Sequence, residues 1–342
     1  MTKDSFIKSG FRRRHTRYVA ITTLLGLLCI TLCLTALMVG NTFYKPDVVL
    51  SVLSGDDIKG ASFAIVTLRL PRMLAGLLVG LAFGLAGSTF QTMLRNPLAS
   101  PDIIGVTSGS SVAAVFCILL LNISGSLISL ISVLSGLLVA ALIYTLSKGG
   151  SFSGGRLILV GIGVQAMLNA IISFLLLRAS QYDVPAAMRW LSGSLNGIRL
   201  SQIQPLLIVV LIFGTLLLLL GKVLKILELG EQSAITLGIK TDSARLMLVL
   251  CAVFLVAFGT AVTGPISFIS FLAGPIAARL VGRSANNLLP AGLVGACLVI
   301  GSDLIGQFAF DTRFPVGIIT GIIGAPYLML LLIQMNRRGG TA

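Results

Sequence analysis

Long uninterrupted runs of apolar side chains leave this chain few ways to fold. From Tyr18 onward, stretches of about 17–25 residues pass with almost no charge. None shows the two-residue alternation that a membrane barrel strand needs. In lipid each backbone N–H and C=O must be satisfied inside its own segment, so such runs cross as helices. Ten spans are predicted, at about 18–40, 70–94, 103–121, 126–147, 156–178, 203–221, 246–263, 266–281, 289–309 and 315–335. The composition agrees, with 56% hydrophobic and 11% charged residues in 342, too little polar surface to cover a soluble core. The expected class is an all-α integral membrane protein. Residues 18–335 form one transmembrane domain, between a basic tail at 1–17 and a short tail at 336–342.

Charge placement predicts orientation. With the N-terminus inside, cytoplasmic segments hold 17 lysines and arginines and external ones hold 8. That asymmetry favours both termini in the cytoplasm. It puts Asn122–Ser126 outside and Lys148–Arg156 inside. The basic tail followed by an apolar run imitates a secretory leader. The run from Tyr18 to Gly40 is too long for one and has no small-residue cleavage site, so it reads as an uncleaved first span. A net charge of +14, dispersed between spans, follows the orientation rule and gives no reason to expect nucleic acid. The five cysteines, 29, 33, 117, 251 and 297, lie in apolar runs and read as packing residues. A single histidine, His15, leaves no zinc cluster and no Ser-His-Asp set.

The breaks between spans carry most of the remaining information. In "MLRNPLASPDIIGVTSGSS", Asn96-Pro97 stops a helix, because proline pushes the preceding residue out of the helical region. Pro101 and Asp102 suit the first turn of the next helix. The expectation is a sharp cytoplasmic re-entrant turn built on Asn96, Pro97 and Pro101. Gly76, Gly80 and Gly84 recur every four residues, as do Gly317 and Gly321, a spacing that lets helix backbones approach closely or line a route. Asp303 is the clearest ionisable group inside a span, one turn from Gln307. A hydrogen bond between helices and a functional role both remain open for it. Gln91, Gln165 and Asn169 either line the pathway or bridge helices. The longest polar stretch, 222–245, contains "LELGEQSAITLGIKTDSARL" and reads as two short helices joined by a turn at Gly238.

The stretch "RLPRMLAGLLVGLAFGLAGSTFQTMLRNPLASPDIIGVTSGS" resembles the signature of the FecCD/BtuC family, the permease subunits of bacterial ABC importers for iron-siderophores, heme and vitamin B12. The resemblance continues in order through "RLILVGIGVQAMLNAIISFLL", "MRWLSGSLNG", "LELGEQSAITLGI" and "FDTRFPVGIITGIIGAPYLMLLL". One departure is Gly274-Pro275, where many members have Pro-His; with "FDTRFPVG" it makes the chain look more like the siderophore branch. The resemblance implies a ten-helix type II importer fold and a second permease subunit, identical or homologous. It also implies cytoplasmic ATP-binding subunits that use the ATP, and an extracytoplasmic binding protein. Leu229, Gly230, Glu231, Ala234, Leu237 and Gly238 would couple to the ATPase. Arg69, Arg72 and, more approximately, Arg313 would meet acidic residues of the binding protein.

The residues agree on their own terms. No G-x-x-x-x-G-K-[ST] phosphate loop occurs, so the ATPase must be another chain. No span holds a carboxylate cluster, although ferric iron prefers oxygen ligands. Iron would therefore travel wrapped in its chelator, with no cofactor or metal bound by the chain itself. The expected protein is a plasma-membrane permease for a ferric siderophore. Heme or a corrinoid is the alternative cargo. An ion-coupled secondary transporter fits less well, because a single intramembrane acid and no evident repeat argue against it. No nucleophile–base set supports an intramembrane enzyme.

Overall fold

The computed structural model describes residues 3–123, 125–147, 154–282 and 286–339. Ser124 of the expected external turn, 148–153 of the expected cytoplasmic loop, Arg283 and the ends of both tails lie outside them. Among the described residues, eight helices are long and apolar enough to cross a membrane, and two shorter apolar ones join them. In order, these match the ten expected spans.

Helix α1 (Lys3–Met38) already begins inside the basic tail. A short helix, α2 (Pro46–Leu53), starts on proline and packs Val49 and Val52 against Leu37, Ile65 and Met73. Helix α3 (Leu70–Met93) is entered without a break from a π-helical turn, Phe63–Arg69. The α-helix begins at Leu70 as expected, but the π-helical turn extends the helical rod seven residues further back, to Phe63. Pro71 lacks the N–H that would bond one turn back, and the wider turn accommodates it, with Leu70 N–H reaching Ile65 C=O.

Helix α3 ends in the re-entrant turn. The Asn96 N–H donates to Gln91 C=O at 3.0 Å and the Arg95 N–H to Thr92 C=O at 3.2 Å. This is a Schellman closure. Arg95 takes the left-handed conformation (φ 50) where glycine is usual, at a cost of about 1–2 kcal/mol. Pro101 then opens only one 3-10 turn, Pro101–Ile104, not the α-helix expected there. Asp102 accepts the Ser100 and Thr107 hydroxyls, which hold that turn tight. Gly105, at φ 68, turns the chain into α4 (Val106–Leu119).

Helices α5 (Ser126–Ser147) and α6 (Gly154–Arg178) follow, then a short amphipathic helix, α7 (Val184–Leu191). The sixth span is α8 (Leu200–Val209), a π-turn, and α9 (Thr215–Leu219). On the far side lie α10 (Gly221–Glu228) and α11 (Glu231–Thr236). These two short helices meet at Gly230, not at Gly238 as the sequence suggested. Gly230 adopts φ 123, whereas Gly238 (φ 82) turns the chain from α11 toward α12 (Thr241–Thr263).

Helix α13 (Ile269–Val281) is too short to span alone. The extended chain before it is covered by protein, as irregular backbone at membrane depth must be. Ser194 N–H donates to Thr263 C=O at 2.7 Å there, and Gly193 abuts Pro265. Helices α14 (Leu288–Phe308) and α15 (Val316–Gly339) complete the bundle.

The centre of the bundle is α3, ringed by α12, α13 and α14. A side chain on Gly80 or Gly84 would collide with the α14 backbone at Gly295–Ala296 or Ala291–Gly292. Gly76 faces Leu195, Val299 and Ile300, and Gly317 meets Ser192, while Gly321 has open space.

Candidate functional site

Three regions collect the polar groups. On the α10–α11 side, Leu229, Ile235 and Leu237 stand 66%, 56% and 59% exposed on a surface that is otherwise polar. The surrounding residues fix their positions. Ala234 is fully buried as the anchor of α11. The Glu231 carboxylate accepts from both Arg245 Nη atoms at 3.2 Å, bracing α11 against α12. Gly230 and Gly238 supply the two turns. Of the six residues expected to couple to the ATPase, Leu229 and Leu237 therefore face outward, and Gly230, Glu231, Ala234 and Gly238 shape the platform. Ile235, not among the six, faces outward with Leu229 and Leu237; an isoleucine in the longest polar segment between spans was the signal available.

At the opposite end of α3 a cleft of about 460 Å³ is lined by Arg69, Arg72, Asn196, Arg199, Asp303 and Arg313, among others. Its four arginines outnumber its one carboxylate. Arg69 is bonded inward: it donates to the carbonyls of Leu37 and Met38 at 2.8 Å and of Thr42 at 2.6 Å, and stacks on Tyr44. It thus satisfies the carbonyls left free at the end of α1. Arg72 forms a two-pronged pair with Asp303, both N···O distances 2.8 Å. Asp303, 5% exposed, also accepts from Gln307 at 2.8 Å. Arg72 is thus a bond between helices of the kind left open for Asp303, and Gln307 adds a partner within α14. Arg199 and Arg313 are exposed, and Arg313 donates to the Asn41 side chain.

Between these ends, Gln91 is buried and ties α3 to α13. Its Nε2 donates to Phe271 C=O at 3.0 Å. That carbonyl lies four residues before Pro275, whose missing N–H would otherwise leave it unpaired. Any side chain on Gly274 would meet the Gln91 amide. Gln165 and Asn169 behave differently. They sit on α6 at helical spacing with Ser173, and Asn169 and Ser173 are exposed on a helix only 17% buried. Polar groups facing lipid are costly, so this stripe calls for another protein surface or a watery route. Among the described residues no three His, Cys, Asp or Glu side chains gather as metal ligands.

The FecCD transport family matches residues 27–334. The ferric enterobactin transport system permease protein FepG of Escherichia coli is 36% identical over 314 residues, 91% of this chain and 94% of that one. The cobalamin import system permease protein BtuC of Halobacterium salinarum is 34% identical over 80% of this chain and 74% of that protein. A solved metal-chelate type ABC transporter, in an inward-facing conformation, superposes with a TM-score of 0.82 at 28% identity, over 93% of this chain and all of that one.

Proposed function

Because the chain belongs to the FecCD transport family, we propose that it carries a ferric siderophore across a bacterial plasma membrane, as the permease subunit of an ABC importer driven by a separate ATPase. The observation that carries this reading is the polar stripe of α6. A span that exposes Asn169 and Ser173, with Gln165 half-buried beside them, is half of a pathway, and a second permease subunit, identical or homologous, supplies the other half. Amide and hydroxyl groups suit the organic shell of a chelate. They offer hydrogen bonds without a ligand cage that would hold the metal, and weak sites let a cargo leave.

In this reading both termini and the α10–α11 platform face the cytoplasm, where Leu229, Ile235 and Leu237 insert into the ATPase. Gly230, Glu231, Ala234 and Gly238 hold them in place. The arginine cleft faces outward and receives acidic residues of the binding protein. Arg69 and Arg72 are already bonded within the chain, so they shape the cleft, and Arg313 and Arg199 present its charge.

The test is uptake of labelled ferric siderophores, ferric citrate, heme and cobalamin in a strain deleted for this gene and complemented with it. Restored uptake of a ferric siderophore is expected. Restoration of cobalamin or heme alone would assign the alternative cargo.

A further inference from the structure

We infer that Arg95 is the positioning residue that ties the coupling platform to α3, so that movement of the platform is passed to the core of the bundle. The inference rests on the transport reading above. It starts from an anomaly of sequence: the closing position of α3 is left-handed, glycine is favoured there, and an arginine occupies it at φ 50. A strained residue persists where its surroundings require it. Here the requirement lies in the side chain. Arg95 Nη2 donates to Leu227 C=O at 3.3 Å, in the last turn of α10. Its guanidinium also lies beside Gly230, the junction of α10 and α11. The same carbonyl accepts from Gly230 N–H at 3.2 Å, so Arg95 adds a second donor at the α10–α11 junction, and a cation at that helix end complements the dipole.

The two ends of this link are themselves firmly held. The α3 side is the glycine-packed centre of the bundle. On the platform side, α11 is braced to α12 through Glu231 and Arg245. Helix α3 in turn reaches Asp303 through Arg72 at its other end. One helix therefore connects the platform to the arginine cleft, and Arg95 is its side-chain bond to the platform.

The test uses the complete complex in vesicles, with ATPase and loaded binding protein, carrying the ferric chelate that the uptake panel identifies. Arg95→Gly relieves the backbone and deletes the bond. This variant is expected at the wild-type level in the membrane, with ATPase bound and ATP hydrolysed. Chelate imported per ATP should fall roughly tenfold, within the range of a coupling contact. Arg95→Lys, which keeps a donor, should recover part of the loss. Wild-type import per ATP in Arg95→Gly overturns the inference. So does loss of that variant from the membrane, which would make Arg95 a folding residue. A wild-type complex that hydrolyses ATP but imports no member of the panel counts against the transport reading instead. Spin labels at Leu98→Cys and Thr236→Cys still read the tie in that case: one separation with and without nucleotide in the wild type, two in Arg95→Gly.

Discussion

Helices α3 and α6 are both apolar spans of similar length, yet their surroundings are opposite. The α3 span is 83% buried and the α6 span 17%. On α3 the glycines serve contact, because three of them sit against a neighbouring helix with no room for a side chain. On α6, Gly161 packs against the Ile103 backbone in the same way, but Gly163, on the uncovered face, has nothing within 4 Å. The polar groups divide the same way. Gln91 and Arg72 on α3 are consumed by partners inside the chain, whereas Asn169 and Ser173 on α6 look outward. Hydropathy reports that a helix can enter a membrane; burial separates the helix that holds the subunit together from the one that leaves most of its surface uncovered.

Substitution of glycine should separate the two helices most sharply. Gly80→Leu drives a side chain into the backbone of Gly295 and Ala296, which rigid neighbours cannot yield to. Loss of the protein from the membrane fraction is expected. Gly163→Leu should leave the membrane level unchanged. Equal levels of the two variants on immunoblots would dissolve the contrast.

The clamp at the outer end of α3 comes next. Asp303→Leu leaves Arg72 unpaired in a nearly buried setting, a loss of about 3–5 kcal/mol. The double variant Arg72→Met with Asp303→Leu should recover much of that, since an apolar pair of similar volume is often tolerated. Thermal unfolding in detergent reads both. Two variants of the same stability would show that the pair is solvent-screened and not part of the α3 core.

A smaller effect is expected at the rim. Arg313→Glu reverses an exposed charge that is worth about 0.2–1 kcal/mol as a pair. It should slow association with the binding protein at low salt and flatten the fall of that rate with added salt, while leaving the fold intact. An unchanged association rate at low salt would remove Arg313 from the docking surface.

Much of this was legible in the sequence. The fold class and the order of spans follow from runs of apolar residues, and the bounds of α5, Ser126–Ser147, agree to the residue. The π-turn at Phe63–Arg69 ahead of α3 was missed because a proline inside a long helix and one at its beginning look alike in sequence. The Gly230 junction was missed because either glycine of 222–245 could serve as the turn. The inward bonds of Arg69 and Arg72 were not readable. Their partners, Leu37, Thr42 and Asp303, lie up to 231 residues away in sequence, and only folding brings them together. The platform's Ile235 and the anomalous Arg95 stood in plain view as residue types at odds with their surroundings.

Whether α6 faces a pathway can be read directly from its chemistry. In a background without native cysteines, Asn169→Cys and Leu138→Cys each place one thiol on an exposed span surface, the first in the polar stripe and the second on the apolar face of α5. In the assembled transporter, a hydrophilic, membrane-impermeant thiol reagent should modify Asn169→Cys and not Leu138→Cys, and loaded binding protein should change the rate at 169. Modification of neither by that reagent, with both reacting equally with a lipid-soluble maleimide, would put the stripe in lipid and contradict a pathway along α6.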